Sequence, residues 1–205
     1  MKYRWFAFQL VAICVIVFIF QLAYPSITDE YALVSADVFA RPWTLITSMF
    51  LHGGFEHLFY NMFALGLFGS VLEKVIGGKK FLILYFVSGV IAGLGTIPFY
   101  AASIGASGAI FGVLGALGVL RSRMTVYVSY IPMPMAVAVV LWAIGDIIGF
   151  FAPSGVANAA HLFGLAFGLI VGLKLREKYG EHIIKRRKTP VIDEDRMEEW
   201  EEDWM

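Results

Sequence analysis

Six apolar runs divide this chain, and its basic residues fall in every second gap between them. The runs lie near residues 5–24, 55–74, 81–102, 106–121, 126–150 and 156–175. A transmembrane helix needs about 20 predominantly apolar residues, so all but the fourth are of spanning length. Lys2 and Arg4 precede the first run, and Lys74, Lys79 and Lys80 lie between the second and third. Arg121 and Arg123 lie between the fourth and fifth, and Lys174, Arg176, Lys178 and the basic stretch 185–188 follow the sixth. Basic loops stay on the cytoplasmic side of a membrane. Six spans with both termini cytoplasmic satisfy that rule and leave Arg41 outside; one span fewer would put half of the basic residues on the wrong side. Of the 205 residues, 59% are hydrophobic and 16% charged, whereas a soluble domain carries about 25% charged residues. The expected fold is an all-α polytopic membrane protein of six transmembrane helices.

The first run is longer than a signal-peptide core of ~7–15 residues and reads as a retained anchor. The fourth run would barely cross ~30 Å at ~1.5 Å per residue, so its start is expected below the outer surface. The long segment 25–54 is apolar for a loop, with Phe39, Trp43, Leu45, Ile46, Met49 and Phe50, and is expected to lie on the membrane interface between the first two helices. Residues 1–176 form the expected six-helix domain and 177–205 a charged cytoplasmic tail, acidic over its last part and expected to be solvated. Cys14 is the single cysteine, so no internal disulfide forms, and no Cys/His spacing suggests a metal site. Nothing resembles a nucleotide-binding loop, and neither nucleic acid nor nucleotide is an expected partner.

Ionisable groups at membrane depth are costly and are functional candidates by default. In "HGGFEHLFYNM", 52–62, His57 and Asn61 are four residues apart and share a helical face. They either join two helices or offer two hydrogen-bond donors to one point, as an oxyanion hole requires. In "NAAHLFGLAFGLIVG", 158–172, His161 heads a face continued by Gly164, Gly168 and Gly172. Such a face lets another helix come close. The matching face in the fourth run carries Ser107, Phe111, Gly115 and Gly118, and contact between the two would bring His161 to Ser107. With six spans, Asn61, Ser107 and His161 all lie roughly 5–10 Å below the outer boundary. Nucleophile, base and oxyanion donors at one depth are the parts of acyl transfer. The free N–H groups at the start of the fourth helix lie beside Ser107. A soluble nucleophile elbow needs Gly-x-Ser-x-Gly after a strand; position 109 is Ala and no strand pattern precedes it. His182, in the charged tail, is given no role.

Three motifs together make the chain resemble the rhomboid family of intramembrane serine proteases: "HGGFEHLFYN", "GASG" at 105–108 and "AHLFG" at 160–164, in that order across a six-span core. The resemblance implies a Ser107–His161 catalytic dyad and an oxyanion hole from His57, Asn61 and the Ser107 N–H. It further implies a site lined by His52, Gly105, Gly108 and Phe111, with Gly105 permitting a tight turn into the fourth span and His52 helping to hold water. No metal or cofactor is implied. The implied substrates are transmembrane segments of other proteins, cut near the outer face. A multi-pass protein of a prokaryotic plasma membrane is expected, its site opening outward.

Two positions depart from the family pattern. Its outer-loop Trp-Arg pair is replaced by "RPWT", with Thr44 after Trp43, which leaves Arg41 as a possible substitute. The Tyr often found four residues after the serine is Phe111, which keeps the stacking ring and loses the hydroxyl. Asp146, in "LWAIGDIIGFF", matches none of the motifs. It either orients His161 or anchors water, or, more simply, it is a hydrogen-bonded acid in a polar pocket or one reaching for the surface. Two other functions compete. An inactive rhomboid-like protein that binds membrane clients would typically lack Ser107 or His161. A transporter would pair its intramembrane charges and break helices in both halves, and only "IPMP" at 131–134 breaks a span here.

Overall fold

The computed structural model describes residues 5–152 and 155–186. Its elements run α1 (Phe6–Ala23), α2 (Ser26–Tyr31), β1 (Leu33–Val34), α3 (Thr44–Thr47), α4 (Phe55–Ala64), α5 (Ser70–Ile76), α6 (Gly78–Thr96), β2 (Ala102–Ser103), α7 (Ser107–Leu120), β3 (Thr125–Val128), β4 (Ile131–Pro134), α8 (Met135–Phe150) and α9 (Asn158–Arg186). A π turn over Leu65–Gly69 joins α4 to α5 in one rod, Phe55–Ile76. Among the described residues four helices are long and apolar enough to cross a membrane: Phe6–Ala23, Phe55–Ile76, Gly78–Thr96 and a stretch of α9 over Asn158–Tyr179. The apolar helices α7 and α8 are shorter.

The fifth expected span is corrected at its start. Residues 125–134 form an antiparallel hairpin, and the helix begins at Met135. Ser129 and Tyr130 turn the hairpin with φ of 49° and 67°, the signature of a two-residue I′ turn. Pro132 and Pro134 cannot donate to a helical ladder, which excludes a helix through that stretch. The third span ends earlier than expected, at Thr96: Pro98 has no N–H to carry the helical ladder on, and Ile97 N–H closes the helix on Leu94 O. A two-residue strand, β2, does precede Ser107; it pairs with β1 and not with a sheet beneath the serine. α9 runs unbroken past residue 176, so the boundary expected there is no break in the backbone. Residues 189–205 of the expected tail lie outside the described residues.

Successive long helices alternate in direction, so 24–54, 97–106, 151–152 and 155–157 gather at one end and 77–80 and 121–134 at the other. At the second end Ala7 N–H, in the first turn of α1, donates to Glu73 Oε2 at 3.0 Å. Glu73 is 1% exposed, and a carboxylate there meets the positive end of the α1 dipole. Lys80 Nζ donates to the Tyr179 hydroxyl at 2.6 Å, which donates to Ile76 O at 3.3 Å, tying α9 to the turn between α5 and α6. At the first end, the 24–54 segment is held together by Arg41. Its guanidinium meets Asp37 at 2.8 Å and donates to the carbonyls of Asp29 (3.4 Å) and Glu30 (3.1 Å). Phe39, Trp43 and Ile46 project outward from this segment.

The centre of the bundle is α7. Eleven of its residues are buried, among them Gly108, Gly112, Gly115 and Gly118. A Cβ added at Gly164 or Gly168 of α9 would strike the carbonyl oxygen of Gly108 or Gly112 respectively. The two helices therefore touch backbone to backbone, as small residues at fourfold spacing allow. The seam lies one residue away from the expected face. Gly108, Gly112 and Gly115 meet α9, whereas Gly118 packs on Val139 of α8, 3.0 Å from a built Cβ to Val139 Cγ2. That rotation leaves Ser107 and Phe111 beside the seam, facing open space.

Candidate active site

The open space is a cleft of about 1460 Å³ between α4 and α8. It begins at Thr28, Tyr100 and Val156, passes His57, Asn61, Ser107, Phe111 and His161, and ends at Met124–Tyr127 beside the hairpin. Four of the residues expected to do chemistry thus line one cleft: Ser107, His161, His57 and Asn61.

Ser107 is the first residue of α7. The helix returns its first N–H at Ile110, which donates to Ala106 O at 3.0 Å. The N–H groups of Ser107, Gly108 and Ala109 precede that ladder, and with the helix dipole they make this end electropositive. Gly105 sets the approach. Its φ is +124°, a conformation that favours glycine, and its N–H donates to Ser48 O at 2.9 Å. A Cβ on Gly105 would lie 2.9 Å from His57 Nε2 and 3.8 Å from Ser107 Oγ. The glycine therefore lets the ring of His57 come up to the serine.

His57 accepts the Gly53 N–H at Nδ1, 3.3 Å away. A ring that accepts at Nδ1 carries its proton on Nε2, the atom facing Gly105. Asn61 donates one amide hydrogen to His57 O at 2.7 Å and has a second to offer. Behind them His52 is 2% exposed and packs edge-on to His57, with ring centroids 5.2 Å apart. Its backbone is clamped by Gln21. His52 N–H donates to Gln21 Oε1 at 3.0 Å, and Gln21 Nε2 donates to His52 O at 3.3 Å and to Thr28 Oγ1 at 2.9 Å. Burial, and then His57 beside it, pushes His52 down to about 4, so it is neutral near pH 7. His52 touches His57 and does not reach the cleft wall.

His161 stacks on Phe111, ring centroids 4.2 Å apart and planes 5° from parallel. Its Nδ1 lies 2.8 Å from Asp146 Oδ1. Of the two readings the sequence leaves for Asp146, the geometry favours the contact with His161. Ser107 Oγ makes no hydrogen bond to His161 here; catalytic hydrogen bonds are often long before substrate binds. Gly108 is on the helix seam, 2.5 Å from Ala92 Cβ to a built Cβ, and not in the cleft wall. Arg41 binds its own loop, not these residues. Sequence reasoning missed Gln21 and Thr28, although a glutamine inside an apolar run was a visible signal.

Opposite the seam, α4–α5 and α8 enclose the cleft with little between them: Phe68 and Trp142 meet ring edge to face at 6.0 Å.

A Rhomboid domain family model matches residues 40–178. The chain is 33% identical over 139 residues to the putative rhomboid protease YdcA of Bacillus subtilis, covering 66% of this chain and 68% of that one. It is 33% identical over 149 residues to the rhomboid protease GluP of the same organism, covering 69% and 28%. To the rhomboid protease GlpG of Yersinia pseudotuberculosis it is 28% identical over 174 residues, covering 80% and 60%. The chain thus spans less than two thirds of GluP and GlpG.

Proposed function

The chain belongs to the rhomboid family and is a multi-pass membrane protein, and we propose that it is an intramembrane serine endopeptidase that cuts transmembrane segments of other proteins. One observation carries this: Ser107, His161, His57 and Asn61 line a single cleft, walled largely by apolar side chains.

In the proposed reaction Ser107 Oγ attacks the scissile carbonyl carbon while His161 Nε2 takes the hydroxyl proton. Negative charge develops on the carbonyl oxygen, which accepts from His57 Nε2–H, the second Asn61 amide hydrogen and the Ser107 N–H. Donors fixed in advance need no reorganisation as the charge appears. The intermediate collapses, the C–N bond breaks, and His161 returns the proton to the leaving amine. Water, deprotonated by His161, then attacks the acyl-enzyme and releases the acid and Ser107. Substrate binding closes the gap between Ser107 and His161.

The proposed topology has six spans, counting α7 and α8, with both termini in the cytoplasm by the distribution of Lys and Arg. α7 has 14 residues, about 21 Å at ~1.5 Å per residue, shorter than a ~30 Å hydrocarbon core. Ser107 then lies below the outer surface, reached by water through the end of the cleft at Thr28 and Tyr100. The 24–54 segment rests on the outer interface through Phe39, Trp43 and Ile46.

The test is a pair of measurements on protein reconstituted in liposomes: labelling by a fluorophosphonate, and cleavage of a transmembrane reporter. Both are expected for the native chain and neither for Ser107→Ala or His161→Ala. A native chain that does not react with the probe and releases no product, just as Ser107→Ala does, overturns the protease and leaves a client-binding protein.

A further inference from the structure

We propose that Asp146 is a positioning residue for His161, holding the imidazole in the one orientation and tautomer that can serve Ser107, and that it does so only while α8 is seated against α9. This deepens the protease reading and rests on it.

The sequence supplies the oddity. Asp146 is an acid near the end of an apolar helix, 8% exposed, and its Oδ2 is buried with no hydrogen-bond partner among the described residues. An unsatisfied buried acceptor is destabilising, so the Oδ2 atom gives stability no reason for an acid here. What the residue does make is the 2.8 Å contact from Oδ1 to His161 Nδ1.

Two constraints on the ring must be separated. Phe111 fixes the plane of the imidazole by stacking on it. Stacking is nearly indifferent to a 180° flip of the ring within that plane, because both flips present the same face. Asp146 removes the indifference. A carboxylate only accepts, so Nδ1 turns toward it and carries the proton. The lone pair is then on Nε2, away from Asp146, where a base for a serine hydroxyl needs it. When His161 takes the proton from Ser107, the new charge forms 2.8 Å from Asp146, and a charge-assisted hydrogen bond is roughly twice as strong as a neutral one. The cleft that His161 lines also carries Ser107, His57, Tyr100 and two carboxylates, Asp29 and Glu56. Of the carboxylates among the described residues, Asp146 is the one within hydrogen-bond distance of the ring.

The two residues stand on different helices, which gives the contact its second consequence. Trp142 is one turn before Asp146 on α8 and touches Phe68 across the cleft. Movement of α8 that opens this side also draws Asp146 away from His161. The base is set when the helix returns.

The experiment uses the full chain in liposomes with a transmembrane reporter, comparing Asp146→Asn and Asp146→Ala with the native protein. Asp146→Asn loses the charge and can present its NH₂ to Nδ1, which leaves the histidine in the wrong tautomer; kcat is expected to fall about 10²–10⁴-fold with KM within about twofold. Asp146→Ala removes both the charge and the acceptor, and its kcat is expected to fall at least about 10²-fold. A second readout does not depend on turnover: ¹⁵N spectra of histidine-labelled protein. His161 is expected as the Nδ1–H tautomer in the native chain and as a mixture or the Nε2–H tautomer in Asp146→Ala. Native kcat in both variants, or a His161 spectrum unchanged by Asp146→Ala, overturns the proposal. If the native chain itself cuts nothing and takes no fluorophosphonate, the protease reading fails, and the spectra still decide whether Asp146 positions the ring.

Discussion

The contact between α7 and α9 and the gap between α4 and α8 lie on opposite sides of the same cleft and are built in opposite ways. Along α7–α9 the backbones touch: Gly164 sits on Gly108 O and Gly168 on Gly112 O, with no side chain able to yield. On the α4–α8 side a pair of rings, Phe68 of the π turn and Trp142 of α8, meet on side chains that can turn. The proposed nucleophile and base stand on the first pair of helices. The proposed way in for a transmembrane segment runs through the second. A site whose catalytic groups must hold position while a helix-sized substrate passes is served by this division, because a packed backbone interface does not deform gradually and a rotamer flip takes only ps–ns where the ring is exposed.

The strongest way to break that division is one methyl group on the closed side. Gly168→Ala would drive Cβ into Gly112 O, and neither backbone can move without parting α7 from α9. Overpacking a core typically costs about 1–3 kcal/mol, and more where backbone blocks relaxation. Loss of fluorophosphonate labelling and a fall of many degrees in the thermal midpoint in detergent are expected. Gly145→Ala is the control on the loose side. Nothing lies within 4 Å of its built Cβ, and removing a helical glycine gains about 0.5–1 kcal/mol. If Gly168→Ala melts with the native protein, the closed side is not closed.

The loop behind the oxyanion donors belongs with the closed side, and pH tests it. His52 is pushed down to about 4 by burial and by His57, against ~6.5 for a free histidine. Between those values the unfolded chain takes a proton that the folded chain refuses. Stability conferred by the neutral, buried ring is therefore complete above about pH 6.5 and is lost as pH falls toward 4. The shift corresponds to at most about 3 kcal/mol. Melting curves across this window are expected to fall steeply for the native protein and less so for His52→Phe. Equal slopes would show that His52 is protonated in the fold.

These regions differed in how readable they were. The α7–α9 seam was legible because a stripe of glycines at fourfold spacing is a local, periodic signal. Its phase was off by one residue, since spacing on one helix does not say how far that helix is rotated toward its neighbour. The same limit leaves Asp146 between readings: sequence offers His161 as one partner, at the same depth, and does not say whether the two stand side by side. Hydropathy carries the fifth expected span over the hairpin at 125–134 because "TVYV" and "IPMP" are apolar, and it does not distinguish strand from helix. Pro132 and Pro134 were the available warning. The Gln21 clamp on His52 joins residues 31 apart through irregular backbone, where no periodicity exists to read.

The smallest effect expected concerns the open side. Trp142→Ala removes the ring contact with Phe68 and leaves the α7–α9 seam untouched. Lost burial costs stability, and because Trp142 is only partly buried the cost is expected to be under the ~3–5 kcal/mol of a fully buried tryptophan. If opening between α4 and α8 limits turnover, cleavage of a transmembrane reporter rises several-fold, about 1 kcal/mol in barrier. A fluorophosphonate needs no such opening if it reaches Ser107 through the proposed water entry at Thr28 and Tyr100, so its labelling rate is expected to stay within about twofold. The ratio of the two rates isolates the cleft from the chemistry. A parallel rise in both would mean that Trp142 restrains Ser107 itself, and the division between a closed, catalytic side and an open, admitting side would have to be given up. Asp146 sharpens the expectation, because it stands one turn further along α8. Trp142→Ala is expected to gain less at saturating substrate than at low substrate, since an α8 that rests further from α9 leaves His161 unset for part of the time.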